Sequence, residues 1–183
     1  MKPQRILPSL LAGVAATLVM ASAQAQEVTL RAINAFQEGT YFASQFEAFV
    51  KRVNEEGKGL VKINYVGGPK SIPTMEQASA LRNGVVDLAN TTVAYTASIV
   101  PEGLALNYAT LPFAEIRKNG GLDYLNKIMQ EKGLFYLAKT GGDIGYHLYL
   151  NKKIDKADLS GLKVRISPLY RDFFPKLGAT LMH

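Results

Sequence analysis

The clearest chemical signal lies in a short apolar segment near the carboxyl end of the chain. Residues 162–167 predict a strand, and its alternation places Val164 and Ile166 on one side. Arg165 then lies on the other side, where a guanidinium beside a cleft can bind a carboxylate through two parallel hydrogen bonds. The pattern alone leaves open the commoner alternative, an arginine solvated on an edge strand.

Sequence motifs for catalysis are missing. The chain has no G-x-G-x-x-G, no P-loop, no G-x-S-x-G and no helix with paired histidines. It contains no cysteine, which excludes disulfides, thiolate metal sites and cysteine nucleophiles. The histidines are His147 and His183, and a lone histidine in an apolar segment is more often packed or exposed than catalytic. We therefore expect no catalytic site, no metal site and no cofactor.

The charge balance bears on possible ligands. The 183 residues carry a formal charge of +6, from 21 lysines and arginines against 15 acids. These charges form no basic block, so a nucleic-acid partner is not expected. The mild positive field favours anionic ligands.

Residues 1–25 resemble a secretory signal peptide. Lys2 and Arg5 precede an apolar run at residues 10–20, and small residues with A-x-A spacing follow, ending at Ala23 or Ala25. A membrane anchor is the alternative, but the apolar run is shorter than the ~20 residues that a span needs. We expect cleavage after Ala25, export to the periplasm and no stable membrane insertion.

The elements that must position Arg165 alternate between strands and helices. Apolar residues Phe42, Phe46, Phe49, Val50 and Val53 recur at helical spacing and predict a helix with this stripe in the core, ended by Gly57. The other predicted strands lie at residues 28–33, 60–66, 85–89, 134–139 and 146–150, and the other helices at 74–82, 121–131 and 169–177. This alternation predicts an α/β fold with a largely parallel sheet.

The last residues suggest an incomplete unit. After Leu150 there are one clear strand and one helical segment, which is too little to bury a core. Residues 179–183 resemble the start of a strand that needs a partner outside this sequence. We expect the chain to be part of a longer protein and residues 26–183 to be unstable alone.

Several segments, taken in order, resemble the solute-binding proteins of tripartite ATP-independent periplasmic (TRAP) transporters, the DctP type. The most specific is GLKVR at residues 161–165. The others are EAFVKRVNEEGKG, VKINYV, NGVVDLA, LPF and NKKI, which follow the order found in the family and extend the resemblance over residues 26–183. These proteins are nearly twice as long as this chain.

The resemblance implies a periplasmic-binding-protein-like fold of two α/β domains that close around a ligand. Residues 26–145 would form the first domain, and residues 146–183 would begin the second, which is incomplete. The implied function is a periplasmic receptor, not an enzyme, that binds an organic acid in the interdomain cleft. Its implied partners are this small acid and the membrane permease subunits of a TRAP transporter.

The resemblance also implies site residues. Arg165 corresponds to the arginine that forms the salt bridge to the ligand carboxylate in the family. Thr92 and Tyr95 follow NGVVDLA in a loop that contacts ligand, although capping a helix is an equally good role for them. Phe36, in the loop after the first strand, is a candidate wall residue, with core packing as the alternative.

Two departures from the family pattern bear on the ligand. Where some members carry a second arginine, this chain has Tyr146 and His147. After Arg165 it has Ser167-Pro168 instead of the Pro-Asn pair of some sialic-acid-binding members. Both differences favour a smaller carboxylate, with Tyr146 as a further candidate ligand contact. Two alternatives stay open, a secreted α/β hydrolase and a receptor that serves signalling.

Overall fold

The computed structural model describes residues 26–140 and 146–182. The predicted signal peptide and its cleavage position lie outside these residues. The first part of the chain is built on a parallel sheet of three strands in the order β2-β1-β3. These strands are β1 Val28–Asn34, β2 Val61–Gly67 and β3 Leu88–Asn90.

Helices connect and cover these strands. The α-helices are α1 Tyr41–Glu56, α2 Gln77–Arg82, α3 Val93–Thr96, α4 Ala105–Tyr108, α5 Phe113–Lys118 and α6 Gly121–Glu131. Short 3₁₀ turns at Thr74–Glu76 and Pro101–Leu104 precede α2 and α4. Within the described residues no helix is both long and apolar enough to cross a membrane.

The predicted elements β1, β2, α1 and α6 are confirmed. Each of them could be predicted because its own residues carry a hydrophobic pattern. Phe46 and Val50 of α1 pack on Ala32 and Ile63 of the sheet. Phe49 was expected in the same core and is instead 40% exposed. It lies at the side of the apolar stripe and lines a cavity beside the sheet rather than the sheet itself.

Strand β1 is the centre of the first core. Ala32 and Ile33 point to opposite faces of the sheet, and both are fully buried. A parallel strand that is covered on both faces is typical of an α/β layered domain. The polar residue that ends this strand, Asn34, is also fully buried.

The second part contains a smaller parallel pair, β4 Lys163–Arg165 and β5 Thr180–Met182. A small apolar cluster that includes Leu159 and Val164 accompanies it. The end of the chain was expected to need an outside partner, but one edge of β5 pairs with β4. The predicted alternation of residues 162–167 is confirmed, since Val164 and Ile166 are buried and Arg165 is exposed.

Four predicted elements differ in the structure. The helix expected at residues 169–177 is replaced by two 3₁₀ turns, Pro168–Tyr170 and Phe174–Leu177. Pro175, which has no backbone N–H, lies at the start of the second turn and prevents one continuous helix. The strand expected at residues 85–89 starts three residues later, because the N–H of Val85 still donates to the Ala80 carbonyl of the preceding turn.

The strands expected at residues 134–139 and 146–150 pair with no strand among the described residues. The first of these segments is held by a side chain instead. The Tyr136 N–H donates to Asn126 Oδ1 at 2.7 Å, and Asn126 Nδ2 donates to the Tyr136 carbonyl at 3.1 Å. The Asn126 carboxamide thus takes the place of a neighbouring strand.

Candidate functional site

The strand order brings two predicted site residues to one edge of the sheet. In the order β2-β1-β3, the chain passes from β1 to β2 on one side of β1 and then returns past β1 to β3 on the other side. The two connections therefore run in opposite directions along the sheet. In open α/β sheets, ligands bind outside the carboxyl ends of the strands at such a point. Phe36 follows β1 and Thr92 follows β3, so both lie in loops at this edge.

A cavity of about 1150 Å³ extends from this edge. It runs between β3 and residues 133–140, which leave α6. Phe36, Thr92 and Tyr146 all line it, whereas Tyr95 and Arg165 do not. The structure therefore brings three of the five predicted site residues together around one space.

Aromatic rings form much of the cavity wall near α1. The rings of Phe36 and Phe42 lie with their centroids 4.9 Å apart. Phe46 and Phe49, whose centroids are 6.0 Å apart, continue this wall. Phe36 therefore combines the two roles left open by the sequence, since it packs on a neighbouring ring and also faces the cavity.

Thr92 is the N-cap of α3. Its Oγ1 accepts a hydrogen bond from the Ala94 N–H at 3.4 Å, and its side chain is half-buried. The capping alternative is thus observed, together with a position at the cavity. The hydroxyl can still donate a hydrogen bond, because the cap uses it only as an acceptor.

Arg165 lies on β4, in the second part of the chain. Its side chain is exposed and has no hydrogen bond or ion pair with any residue at positions 26–140 or 146–182. Just beyond β4, the turn Pro168–Tyr170 lies against α3, the helix that Thr92 caps and that carries the half-buried Tyr95. The carboxyl end of β4 is therefore adjacent to the first sheet's site edge, although Arg165 is outside the cavity.

Tyr146 is strongly exposed, with 73% of its surface accessible. The neighbouring His147 is exposed as well, and its ring lies 6.5 Å from that of Tyr149, edge to face. In the described ranges no three histidine or acidic side chains are grouped so that they could hold a metal ion.

Asp87 and Arg31 form an ion pair at the side of the cavity. Arg31 Nε donates to Asp87 Oδ2 and Arg31 Nη2 to Asp87 Oδ1, each at 2.9 Å, and the Arg31 N–H donates to Oδ2 at 2.8 Å. These hydrogen bonds from Arg31 lower the pKa of Asp87 to about 2. The pair joins β1 to the segment before β3, and it neutralises an acid that would otherwise repel an anion.

Sequence reasoning missed several polar residues around this site. Lys139 and Arg117 line the cavity and supply positive charge there, and Lys139 Nζ lies 5.8 Å from the Phe113 ring centroid. Asn34 and Asn90 form a buried carboxamide pair at the ends of β1 and β3. The available signal was an asparagine at the end of each of two predicted parallel strands.

Comparison with protein families identifies a match to the model of bacterial extracellular solute-binding proteins, family 7 (DctP), over residues 33–182. A curated solute-binding protein from Albidiferax ferrireducens is 25% identical over 177 residues, which cover 90% of this chain and 52% of that protein. The chain therefore spans about half the length of this relative.

Solved structures with a similar fold are TRAP periplasmic solute-binding proteins. One from Pseudoalteromonas atlantica, with bound sodium and pyruvate, matches with a TM-score of 0.69 and 18% identity over 86% of this chain and 50% of its own. One from Bordetella bronchiseptica, with calcium and picolinate, gives 0.70 and 20% over 86% and 49%. A Bordetella pertussis extracytoplasmic solute receptor that binds pyroglutamic acid gives 0.65 and 17% over 85% and 53%. At these identities the likeness concerns the fold, which is that of about half of each neighbour.

Proposed function

The chain belongs to family 7 of the bacterial extracellular solute-binding proteins, the DctP family, and we propose that it acts in a periplasmic receptor that binds a small organic acid for a TRAP membrane permease. The observation that carries this proposal is the contact between α3, which follows β3, and the turn Pro168–Tyr170, which follows β4. It supports a ligand site between the end of β4, which carries Arg165, and the cavity at the end of the first sheet.

Arg165 is the proposed anchor for the ligand carboxylate. Its guanidinium is exposed at the carboxyl end of a parallel strand and is not committed to any acid in the described residues. A planar guanidinium presents paired N–H donors that match the two oxygens of a carboxylate. Arg165 would therefore bind a ligand without first breaking a side-chain bond to any of the described residues.

The first part of the chain would supply the other side of the ligand site. Phe36 would form an apolar wall, and the hydroxyl groups of Thr92 and Tyr95 would donate to polar atoms of the ligand, as would that of Tyr146 from the beginning of the second lobe. The ligands named for the neighbours, pyruvate, picolinate and pyroglutamic acid, each join a carboxylate to a small body. Since Tyr146 and His147 stand in place of a second arginine, we propose a small acid with one carboxylate to anchor.

The proposed domain division is the one that the resemblance implies, and each proposed domain contains one of the two sheets. We propose residues 26–145 as the first lobe and residues 146–183 as the beginning of the second, with the ligand between them. Removal of residues 1–25 after Ala25 would release the receptor into the periplasm. The matches to solute-binding proteins support this function over the hydrolase alternative.

Titration of the secreted, purified protein with pyruvate, picolinate and pyroglutamate tests the proposal. We expect at least one acid to bind, and Arg165→Lys to weaken it by about thirtyfold, which corresponds to a loss of about 2 kcal/mol from the bidentate contact. Arg171→Lys is the matched control, because Arg171 is also exposed but lies six residues further along. Equal affinity of Arg165→Lys and the unmodified protein would rule out Arg165 as the anchor.

A further inference from the structure

Asn90, the last residue of β3, connects four segments of the chain through hydrogen bonds. Its Nδ2 donates to Asn34 Oδ1 at 3.2 Å and to the Phe42 carbonyl at 3.3 Å. The side-chain Oδ1 of Asn90 accepts a hydrogen bond from the Thr140 hydroxyl at 2.8 Å, and the backbone carbonyl of Asn90 accepts one from the Ala35 N–H at 2.9 Å. One side chain, only 6% exposed, thus joins the end of β1, the first turn of α1 and the segment that follows α6 to β3.

Asn34 extends this network to the loop that carries Phe36. The side-chain Oδ1 of Asn34 accepts a hydrogen bond from the Phe36 N–H at 3.0 Å, and the backbone carbonyl of Asn34 accepts one from Gln77 Nε2 at 3.0 Å. Asn90 Nδ2 and the Phe36 N–H both donate to Asn34 Oδ1. The bond from Asn90 therefore holds the Asn34 carboxamide with its oxygen on the side that faces the Phe36 N–H. Asn90 therefore acts on the Phe36 backbone through Asn34.

A requirement for core stability does not account for these polar groups. Strands of parallel sheets that are buried on both faces are usually apolar throughout, and a buried carboxamide is costly unless it is hydrogen-bonded. Asn34 Nδ2 makes no hydrogen bond of good geometry within the described part of the chain, although the Tyr65 hydroxyl interacts with the Asn34 side chain, so the pair keeps part of that cost. What the pair provides instead is a fixed position for the neighbouring backbone, because each of its hydrogen bonds holds one backbone segment in place.

Thr140 connects the network to residues 133–140, which line the cavity. Its side chain is exposed, and its hydroxyl bond to Asn90 is made at the last described residue before position 141. Tyr146, the next candidate ligand contact, follows six residues later and lines the same cavity as Phe36 and Thr92. The Asn90 carboxamide is thus hydrogen-bonded to Thr140 and, through Asn34, to the Phe36 loop, and Asn90 itself lies two positions before Thr92.

We infer that Asn90 is a positioning residue of the ligand site: through Asn34 and Thr140 it holds the Phe36 loop and residues 138–140, which line the cavity, against the end of β3. The role of Asn90 in ligand binding rests on the proposed function, whereas the hydrogen bonds of Asn90 do not depend on which acid binds. It assigns no contact between Asn90 and the ligand.

The first test needs no ligand. In the secreted protein, Thr140→Val removes the hydroxyl and keeps the side-chain shape, so NMR order parameters of residues 138–140 should fall from about 0.85 toward 0.6. The melting temperature should fall only modestly, because the lost hydrogen bond is partly buried and leaves Asn90 Oδ1 without this donor. Thr140→Ser should restore the order parameters, and Thr29→Val, at an exposed threonine on β1, should leave them unaffected. Unchanged order parameters in Thr140→Val would overturn the inference.

A second variant examines the Asn90 donors. Asn90→Asp keeps the acceptor for Thr140 but sets a carboxylate oxygen against Asn34 Oδ1, so amide exchange of the Phe36 N–H should rise at least about tenfold. If this variant does not fold, Thr140→Val decides the matter alone. Exchange of the Phe36 N–H at the unmodified rate in a folded Asn90→Asp protein would overturn the link through Asn34.

Binding of pyruvate and picolinate separates the inference from the proposed function. If the unmodified protein binds either acid, Thr140→Val should weaken it by about two- to tenfold and Thr140→Ser should not. Equal affinity of Thr140→Val and the unmodified protein would contradict a positioning role. If the unmodified protein binds neither, the proposed small-acid class fails, and the order parameters and amide exchange still decide whether Asn90 positions these segments.

Discussion

Substitution of Asp87 by asparagine should destabilise the protein in a pH-dependent way. The carboxylate receives three hydrogen bonds from Arg31, two from the guanidinium and one from the backbone N–H. The carboxamide introduced by Asp87→Asn would keep one acceptor but direct an NH₂ group at an Arg31 donor. With side chains 46% and 31% exposed, water screens the Arg31–Asp87 pair. We therefore expect Asp87→Asn to cost about 1 kcal/mol, the upper range for a surface pair with good geometry.

The sign of the pH dependence follows from the lowered pKa of Asp87. The folded value of about 2 lies below the ordinary 3.8, so the ionised carboxylate favours the folded state above pH 3.8. This contribution decreases as the pH falls from 3.8 towards 2, where the folded form also becomes protonated. The difference in free energy of unfolding between the unmodified protein and Asp87→Asn should therefore shrink over that range.

Urea denaturation of both proteins at pH 7, 4 and 3 measures this difference. Glu56→Gln is the matched control, because Glu56 accepts one bond from Arg52 at 2.9 Å in a pair that is 77% and 66% exposed. That change should cost only about 0.3–0.5 kcal/mol. A cost of Asp87→Asn no larger than that of Glu56→Gln, or one that is the same at pH 7 and pH 3, would refute the view that Asp87 clamps β1 to the segment before β3.

Two further predictions concern the core and the amino terminus. Phe46→Ala should lower the free energy of unfolding by about 3–5 kcal/mol, whereas Phe49→Ala, at a 40% exposed ring, should lower it by about 1 kcal/mol; equal losses in urea denaturation would contradict the assigned core. Amino-terminal sequencing of the periplasmic protein should begin at Gln26, and a start within residues 1–20 would exclude the expected cleavage after Ala25.

The elements predicted well from the sequence are those whose signal is contained within them. The stripe of α1, the alternation of β2 and the spacing of α6 each specify an apolar face without reference to the rest of the chain. The prediction at residues 134–139 was wrong for a non-local reason, and that at residues 169–177 was wrong because of Pro175 within the segment. The first segment has the composition of a strand, but Asn126 supplies its hydrogen bonds. In the second, Pro175 and the packing of short turns outweigh the helical spacing of the apolar residues.

The residues of the candidate site also divide into those with a local sequence signal and those without one. The exposed face of Arg165 follows from alternation within one strand, so it could be predicted. The Asn34–Asn90 pair depends on the register of two strands 56 residues apart and on the order β2-β1-β3. No spacing rule in a single sequence contains that register. The buried polar residues that direct the loops were therefore missed, while the exposed residues on those loops were predicted.

The exposure of Arg165 limits what it can do alone. An ion pair with a carboxylate at a fully solvated guanidinium contributes at most about 1 kcal/mol, which is roughly a fivefold effect on affinity. A receptor needs more, and the same pair becomes stronger when water is excluded from it. The proposed apolar wall around Phe36 would provide that exclusion if the two parts of the chain approach each other over the ligand. The affinity of the site should therefore depend on the wall as much as on the arginine: Phe36→Ala should weaken binding of the acid by a factor comparable to that of Arg165→Lys, and an unchanged affinity in titration would mean that Arg165 acts in water.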